Sequence, residues 1–182
     1  MIDLWFLDQS GVAPTLPTCY SWGRLGTRLV VPHQAPQGRR VNVVGALAPY
    51  AAGGPRLLFE TRRKTEGRYD AAAHLAFVRR VSAATAPRQP CIVVLDNYSV
   101  HHRQTVKDAL PDLAACGVQF CFLPPDRPEL NPIAPVWRQR KYQDLPERSH
   151  ATDTALQAAV DAALTARAQR LAQSTNELPR RA

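Results

Sequence analysis

The sequence has no apolar stretch approaching the roughly 20 residues that a membrane-spanning helix needs, and nothing at its start reads as a signal peptide. A helical membrane protein is therefore not expected, and no membrane is expected among its partners. The four cysteines, Cys19, Cys91, Cys116 and Cys121, form no Cys-x-x-Cys pair. Cys91 and Cys121 lie inside apolar runs and read as small buried hydrophobes. A reduced thiol state and a cytoplasmic location follow as expectations. Acid is scarce: 15 Asp and Glu stand against 23 Lys and Arg, which leaves a net charge of +8. That balance favours a polyanionic partner, nucleic acid first, although an Arg-rich composition produces the same charge without one. No internal repeat is present.

At 182 residues the chain has the length of one domain, able to bury a core without staples. Met1-Ile2-Asp3 runs straight into a strand pattern at Leu4–Leu7, so the domain is expected to occupy residues 1–175, with no N-terminal module and a frayed tail over 176–182. Further strands are expected at Leu29-Val30-Val31, Val41–Leu47 and Arg56–Thr61, as an antiparallel meander. The period then becomes helical. Asp70 can cap a helix with Ala71, Leu75, Val78 and Val81 on its apolar face. A strand at Cys91–Leu95 follows, then a helix carrying Val106, Leu110, Leu113 and Ala114 that stops at Gly117. Val118–Leu123 is the next strand. Pro124 to Pro132 is irregular, Ile133 to Tyr142 can be helical, and Thr152 or Asp153 caps a last helix with Leu156, Val160, Leu164, Ala168 and Leu171 on one face. The expectation is a mixed α/β sheet flanked by helices.

Two apolar runs end abruptly in a carboxylate: Leu4-Trp5-Phe6-Leu7-Asp8 and Cys91-Ile92-Val93-Val94-Leu95-Asp96. An unbroken apolar run fits a strand buried on both faces, and ligands bind at the C-terminal ends of such strands. If the two strands are neighbours, Asp8 and Asp96 can share a divalent cation. Each Asp could equally start a turn or cap a helix.

The segment from Leu123 to Trp137, Leu-Pro-Pro-Asp-Arg-Pro-Glu-Leu-Asn-Pro-Ile-Ala-Pro-Val-Trp, resembles a signature of the DDE transposases of bacterial insertion sequences, in the mariner superfamily, and within it the insertion sequence 630 family. Leu7-Asp8-Gln9-Ser10-Gly11 resembles the first-aspartate block of that family, and Leu95-Asp96-Asn97-Tyr98-Ser99-Val100-His101-His102 resembles the second. The resemblance implies an RNase H-like fold, a five-stranded mixed sheet, and metal-dependent DNA strand cleavage and strand transfer on double-stranded DNA, both transposon ends and target. It also implies two Mg²⁺ or Mn²⁺ ions held by three carboxylates, and a homodimer. Asp8 and Asp96 match the first two acids. The third position is Ala134, whose methyl carries no lone pair, so one ion site is expected to be lost.

Two cations about 3.5–4 Å apart activate the attacking oxygen and stabilise the leaving one in such a displacement. Gln9, next to Asp8, should point to the other face of the strand. Asp126 and Glu129 are the acids nearest the gap and read as solvent-facing loop residues. Either His101 or His102 orients its loop or meets phosphate, or neither does. Val136 and Trp137 read as core. Arg24, Arg28, Arg39, Arg40, Arg138, Arg140 and Lys141 are candidates for contact with DNA phosphates. Two other functions fit the same residues: a catalytically inactive relative that binds DNA or a partner, and a ribonuclease H-type nuclease working with Asp8 and Asp96 alone.

Overall fold

In the computed structural model five strands form one sheet in the order β3-β2-β1-β4-β5. The structure describes residues 2–16, 24–28, 30, 35, 39–51, 53–85, 89–125, 127–139, 144–145 and 149–173. β1 (Asp3–Val12), β2 (Val41–Ala48) and β3 (Arg56–Arg63) make an antiparallel meander. β4 (Cys91–Leu95) and β5 (Val118–Phe122) lie parallel on the other side of β1. The change of direction requires a crossover, because parallel neighbours cannot be joined by a tight turn. α1 (Ala71–Ala84) supplies it between β3 and β4.

The strand period of two divides the core cleanly. Trp5 and Leu7 of β1, Val44 and Ala46 of β2, and Cys91, Val93 and Leu95 of β4 face one side with Leu75, Phe77, Val78 and Val81 of α1. Val12, Val41, Val43, Leu47 and Leu57 face the other side, beneath α4 (Ala134–Gln139) and α5 (Asp153–Gln173). α1 begins where Asp70 accepts the Ala73 N–H at 2.9 Å. It ends at Thr85, whose hydroxyl donates to the Val81 carbonyl and accepts from the Trp5 indole N–H at 3.1 Å. Thr152 caps α5 by accepting the Ala155 N–H. α5 is pinned to β3 by Asp161 and Gln157, both bonded to the Thr61 hydroxyl.

Several expectations need correction. Val30 lies in no strand; its neighbours Leu29 and Val31 lie outside the described residues. The helix expected through Leu110 is two short ones, α2 (Gln104–Asp108) and α3 (Leu110–Ala115). Pro111 explains the break, since it has no N–H to continue the ladder. Gly117 stops α3 at φ +79, a conformation that glycine adopts without strain. Cys121 is exposed rather than buried. It sits on edge strand β5, whose face bearing Gln119 and Cys121 has no cover among the described residues. The expected tail over 176–182 lies outside the described residues.

Asp3 is fully buried and takes a 2.7 Å ion pair from Arg56 Nη2, a residue on the far edge of the meander. The same guanidinium bonds the Ala84 carbonyl and lies 5.3 Å from the Trp5 ring centroid. It thus ties β3, β1 and the end of α1 together. Breaking a fully buried pair costs about 3–5 kcal/mol, and the 32% exposure of Arg56 discounts that figure. Arg56→Met should therefore lower the unfolding free energy in urea by about 1–2 kcal/mol, and adding Asp3→Asn should recover part of it. A loss under about 0.5 kcal/mol would show that this pair does not brace the sheet.

Candidate active site

The register of the central pair positions both aspartates. β1 and β4 run parallel with Phe6 opposite Val94. Two residues further along, each chain reaches its carboxylate: Asp8 still in β1, Asp96 just past the end of β4. Both have the parity of Phe6 and Val94, so both emerge on the α4 and α5 side of the sheet. Gln9 has the opposite parity, as expected. Asp8, Asp96, Asn97, Tyr98, Arg127, Asn131 and Ala134 line one cavity of about 460 Å³, closed by Leu123, Pro124 and Pro125.

The two carboxylates are held differently. Asp8 Oδ1 accepts the Gln9 N–H at 2.7 Å, and Oδ2 accepts the Trp137 indole N–H at 3.0 Å. Asp96 is 49% exposed, and its Oδ1 accepts the Tyr98 N–H at 3.1 Å in a local turn. The loop after it is braced twice. Asn97 Nδ2 donates to the Leu123 carbonyl at 2.8 Å, and His101 Nδ1 lies 3.0 Å from the Asp96 carbonyl. A carbonyl only accepts, so His101 carries its proton on Nδ1. The loop-orienting role expected of one histidine thus has a geometric basis at His101, while His102 is exposed and stacks on Phe122 with ring centroids 4.8 Å apart.

Ala134 opens α4, its N–H bonded to the Asn131 carbonyl at 3.0 Å. Its methyl forms part of the cavity wall. Among the described residues no cluster of three His, Cys, Asp or Glu is placed to hold a metal ion. The donor set fits one hard cation: two carboxylates facing one cavity, with room for water and phosphate oxygens. It does not supply the three carboxylates expected to hold two ions. Glu129 does not fill the gap; it is exposed and pairs with Arg127 at 3.4 Å. Asp126 lies outside the described residues. A second cavity, of about 420 Å³, lies beside His102, Lys107, Phe120 and Phe122 and has no carboxylate in its wall, so it offers nothing to a hard cation.

Of the cations singled out in the sequence, Arg24, Arg28, Arg40 and Arg138 are exposed. Arg39 is engaged instead with the carbonyls of Ala151 and Ala35, at 2.6 and 2.8 Å. Arg140 and Lys141 lie outside the described residues. Sequence reasoning passed over two residues that touch the site. Arg127 is the guanidinium in the cavity wall. Trp137 is buried in the core as expected, yet its N–H is spent on Asp8.

Behind Asp96 the rings of His101 and His74 pack with centroids 4.6 Å apart, and Tyr69 shares a 3.2 Å hydrogen bond with His74 Nδ1. Burial, with His101 adding to it, pushes His74 down to about 3 from the usual 6.5. Burial also lowers His101, against the pull of the Asp96 carbonyl and carboxylate.

The sequence profile of the family described as DDE superfamily endonuclease matches residues 3–157. No curated protein sequence matches the chain. Among solved structures, a Mos1 transposase paired-end complex with left transposon end superposes with a TM-score of 0.63 at 16% identity, over 90% of this chain and 48% of that one. A Mos1 mariner paired-end complex with Mn gives 0.62 at 14% identity, over 93% of this chain and 50% of that one. The Mos1 strand transfer complex gives 0.62 at 16% identity, over 93% and 49%. The chain thus has the RNase H-like fold and spans about half the length of these chains.

The imidazoles behind the cavity set an acid limit. Above pH 6.5 His74 is neutral folded or unfolded and contributes no pH dependence. Below it the unfolded chain takes up a proton that the folded chain refuses, so stability falls until about pH 3. Between pH 6 and 4, His74→Leu should flatten the stability curve by up to about 1.4 kcal/mol per pH unit relative to the parent. Parallel curves from urea titrations would show that His74 is not the buried neutral group.

Proposed function

The chain belongs to the DDE superfamily endonuclease family, and from that premise we propose that it is the catalytic core of a transposase, acting on DNA by metal-dependent strand cleavage and strand transfer. The observation that carries this reading is the single cavity containing Asp8, Asp96 and the Ala134 methyl. Asp8 and Asp96 would hold one Mg²⁺ or Mn²⁺. A cation bound there would activate the attacking oxygen and neutralise charge on the phosphate. Asp8 enters that task already oriented by two donors, while Asp96 sits on a loop braced by Asn97 and His101. Arg127 would meet a phosphate oxygen at the cavity mouth, where a guanidinium offers paired donors to an anion.

Ala134 gives this reading its second half: cleavage is impaired, because an anchor for the other ion is gone. Residues that act as one catalytic unit fail together. The competing reading, an inactive relative that keeps DNA or partner binding, rests on the same methyl. The finer assignments go with the first reading: the insertion sequence 630 group, a bacterial source, a cytoplasmic setting, a homodimer and a domain over residues 1–175. Duplex DNA is the proposed partner. Its support is the +8 charge, the exposed Arg24, Arg28, Arg40 and Arg138, and the transposon ends bound in the similar Mos1 complexes. No helix among the described residues is long and apolar enough to cross a membrane.

Two measurements test these statements. Ala134→Glu should raise Mn²⁺-dependent nicking of supercoiled DNA by about two orders of magnitude or more; a parent chain that nicks equally fast would remove the role given to Ala134. The parent should bind duplex DNA with an affinity that falls steeply with salt. Arg40→Ala and Arg138→Ala should each reduce the slope of log K against log salt by about 1, uniformly across sequences. Salt-independent binding would rule out phosphate contact as its basis.

A further inference from the structure

We propose that Trp137 is the positioning residue of Asp8, and that Gly45 is the gap in the sheet that lets it act. The inference rests on Asp8 being a metal ligand. Trp137 is 5% exposed and lies among apolar neighbours. A buried indole needs an acceptor for its N–H, and any carbonyl would serve. The acceptor here is Oδ2 of the carboxylate that faces the cavity, at 3.0 Å. With Gln9 N–H on Oδ1, the plane of the Asp8 carboxylate is fixed from both ends.

The sheet is hollowed to admit the ring. Gly45 stands directly opposite Asp8 in the β1–β2 register. Its φ is not among the positive values of the chain's glycines, so the backbone there does not call for glycine. Space does: a Cβ at Gly45 would lie 2.5 Å from Trp137 Cη2 and 3.3 Å from Ile133 Cδ1. Any side chain would push the indole off Asp8 or lift α4 from the sheet.

The same helix carries position 134. Ala134 and Trp137 are three residues apart on α4 and therefore share a face. Through Trp137, the distance from Asp8 to position 134 is referenced to the indole hydrogen bond. Trp137 thus sets where an acid at 134 would stand relative to the first aspartate.

Mn²⁺ alone, titrated into the full-length chain by calorimetry, separates the outcomes. The set comprises the parent, Ala134→Glu, Asp8→Ala, Trp137→Phe, Gly45→Ala and the double variant A134E/W137F. Trp137→Phe keeps the packed ring but deletes the N–H, and should weaken Mn²⁺ binding about tenfold or more, as loss of a partner that orients a ligand does. Gly45→Ala should act in the same direction, and A134E/W137F should lose most of the affinity gained by Ala134→Glu. If Asp8→Ala loses binding while Trp137→Phe binds like the parent, the inference falls and the metal reading stands. If neither the parent nor Ala134→Glu binds Mn²⁺, the metal reading falls and takes the inference with it. Should Trp137→Phe fail to fold, the ¹⁵N-indole resonance of Trp137 decides: it should move on Asp8→Asn, and an unmoved resonance overturns the hydrogen bond itself.

Discussion

The parallel pairing of β1 with β4 is the constraint on which the site depends. Asp8 and Asp96 are far apart in sequence, and only the register that sets Phe6 against Val94 brings them to the same end and the same face of the sheet. A slip of one residue would send one carboxylate into the core under α1, since side chains alternate with a period of two. The apolar residues on both sides of the two strands prevent that slip. Trp5, Leu7, Val93 and Leu95 are fully buried on one face, while Phe6 and Val94 are buried on the other. The hydrophobic core therefore acts as the ruler of the polar site. The ion pair between Asp3 and Arg56 braces the opposite end of β1, away from the cavity.

How legible this was varied with the range of the interaction. Local signals were read well. The run at Cys91–Leu95 has no polar alternation because both its faces are covered, and Asp70 was placed as a cap because its side chain serves a backbone N–H three residues on. Adjacency of β1 and β4 could be supposed but not deduced, since spacing carries no information about pairing. The bond from Trp137 to Asp8 spans 129 positions and leaves no periodic trace. Its one sequence hint was Gly45 inside a strand, after the β-branched Val41, Val43 and Val44, a mark of close approach by another group. Cys121 was misjudged because an apolar run looks the same whether a strand is central or at an edge. Arg39 stands among the candidate phosphate contacts, and nothing in the sequence shows that its guanidinium finds the carbonyls of Ala151 and Ala35.

An alanine at position 134 is structurally cheap in this fold. Ala is a good helix former. Its absence of charge also relieves the repulsion that a third carboxylate would feel beside Asp8 and Asp96 when no cation is bound. Functional clusters of like charge destabilise the fold that carries them, so removing a member tends to favour stability at the expense of activity. Around that position Asn131 receives the Ala134 N–H on its carbonyl, and Ile133 and Val136 are buried.

The unequal holding of the two remaining carboxylates follows from where each strand ends. Asp8 lies inside a ten-residue strand, so its backbone is locked by β2 and its side chain is reached from above by α4. Asp96 lies one residue beyond a five-residue strand, so its backbone needs the added supports of Asn97 and His101. On the proposed reading, an ion whose oxygen partners change as a phosphate arrives, reacts and leaves would meet one carboxylate inside a strand and one at a strand end. On the proposed metal reading, with no acid at position 134, Asp8 would be the ligand set by both strand and helix. Its orientation would then matter more than in a site with three acids, and so would the indole N–H that sets it.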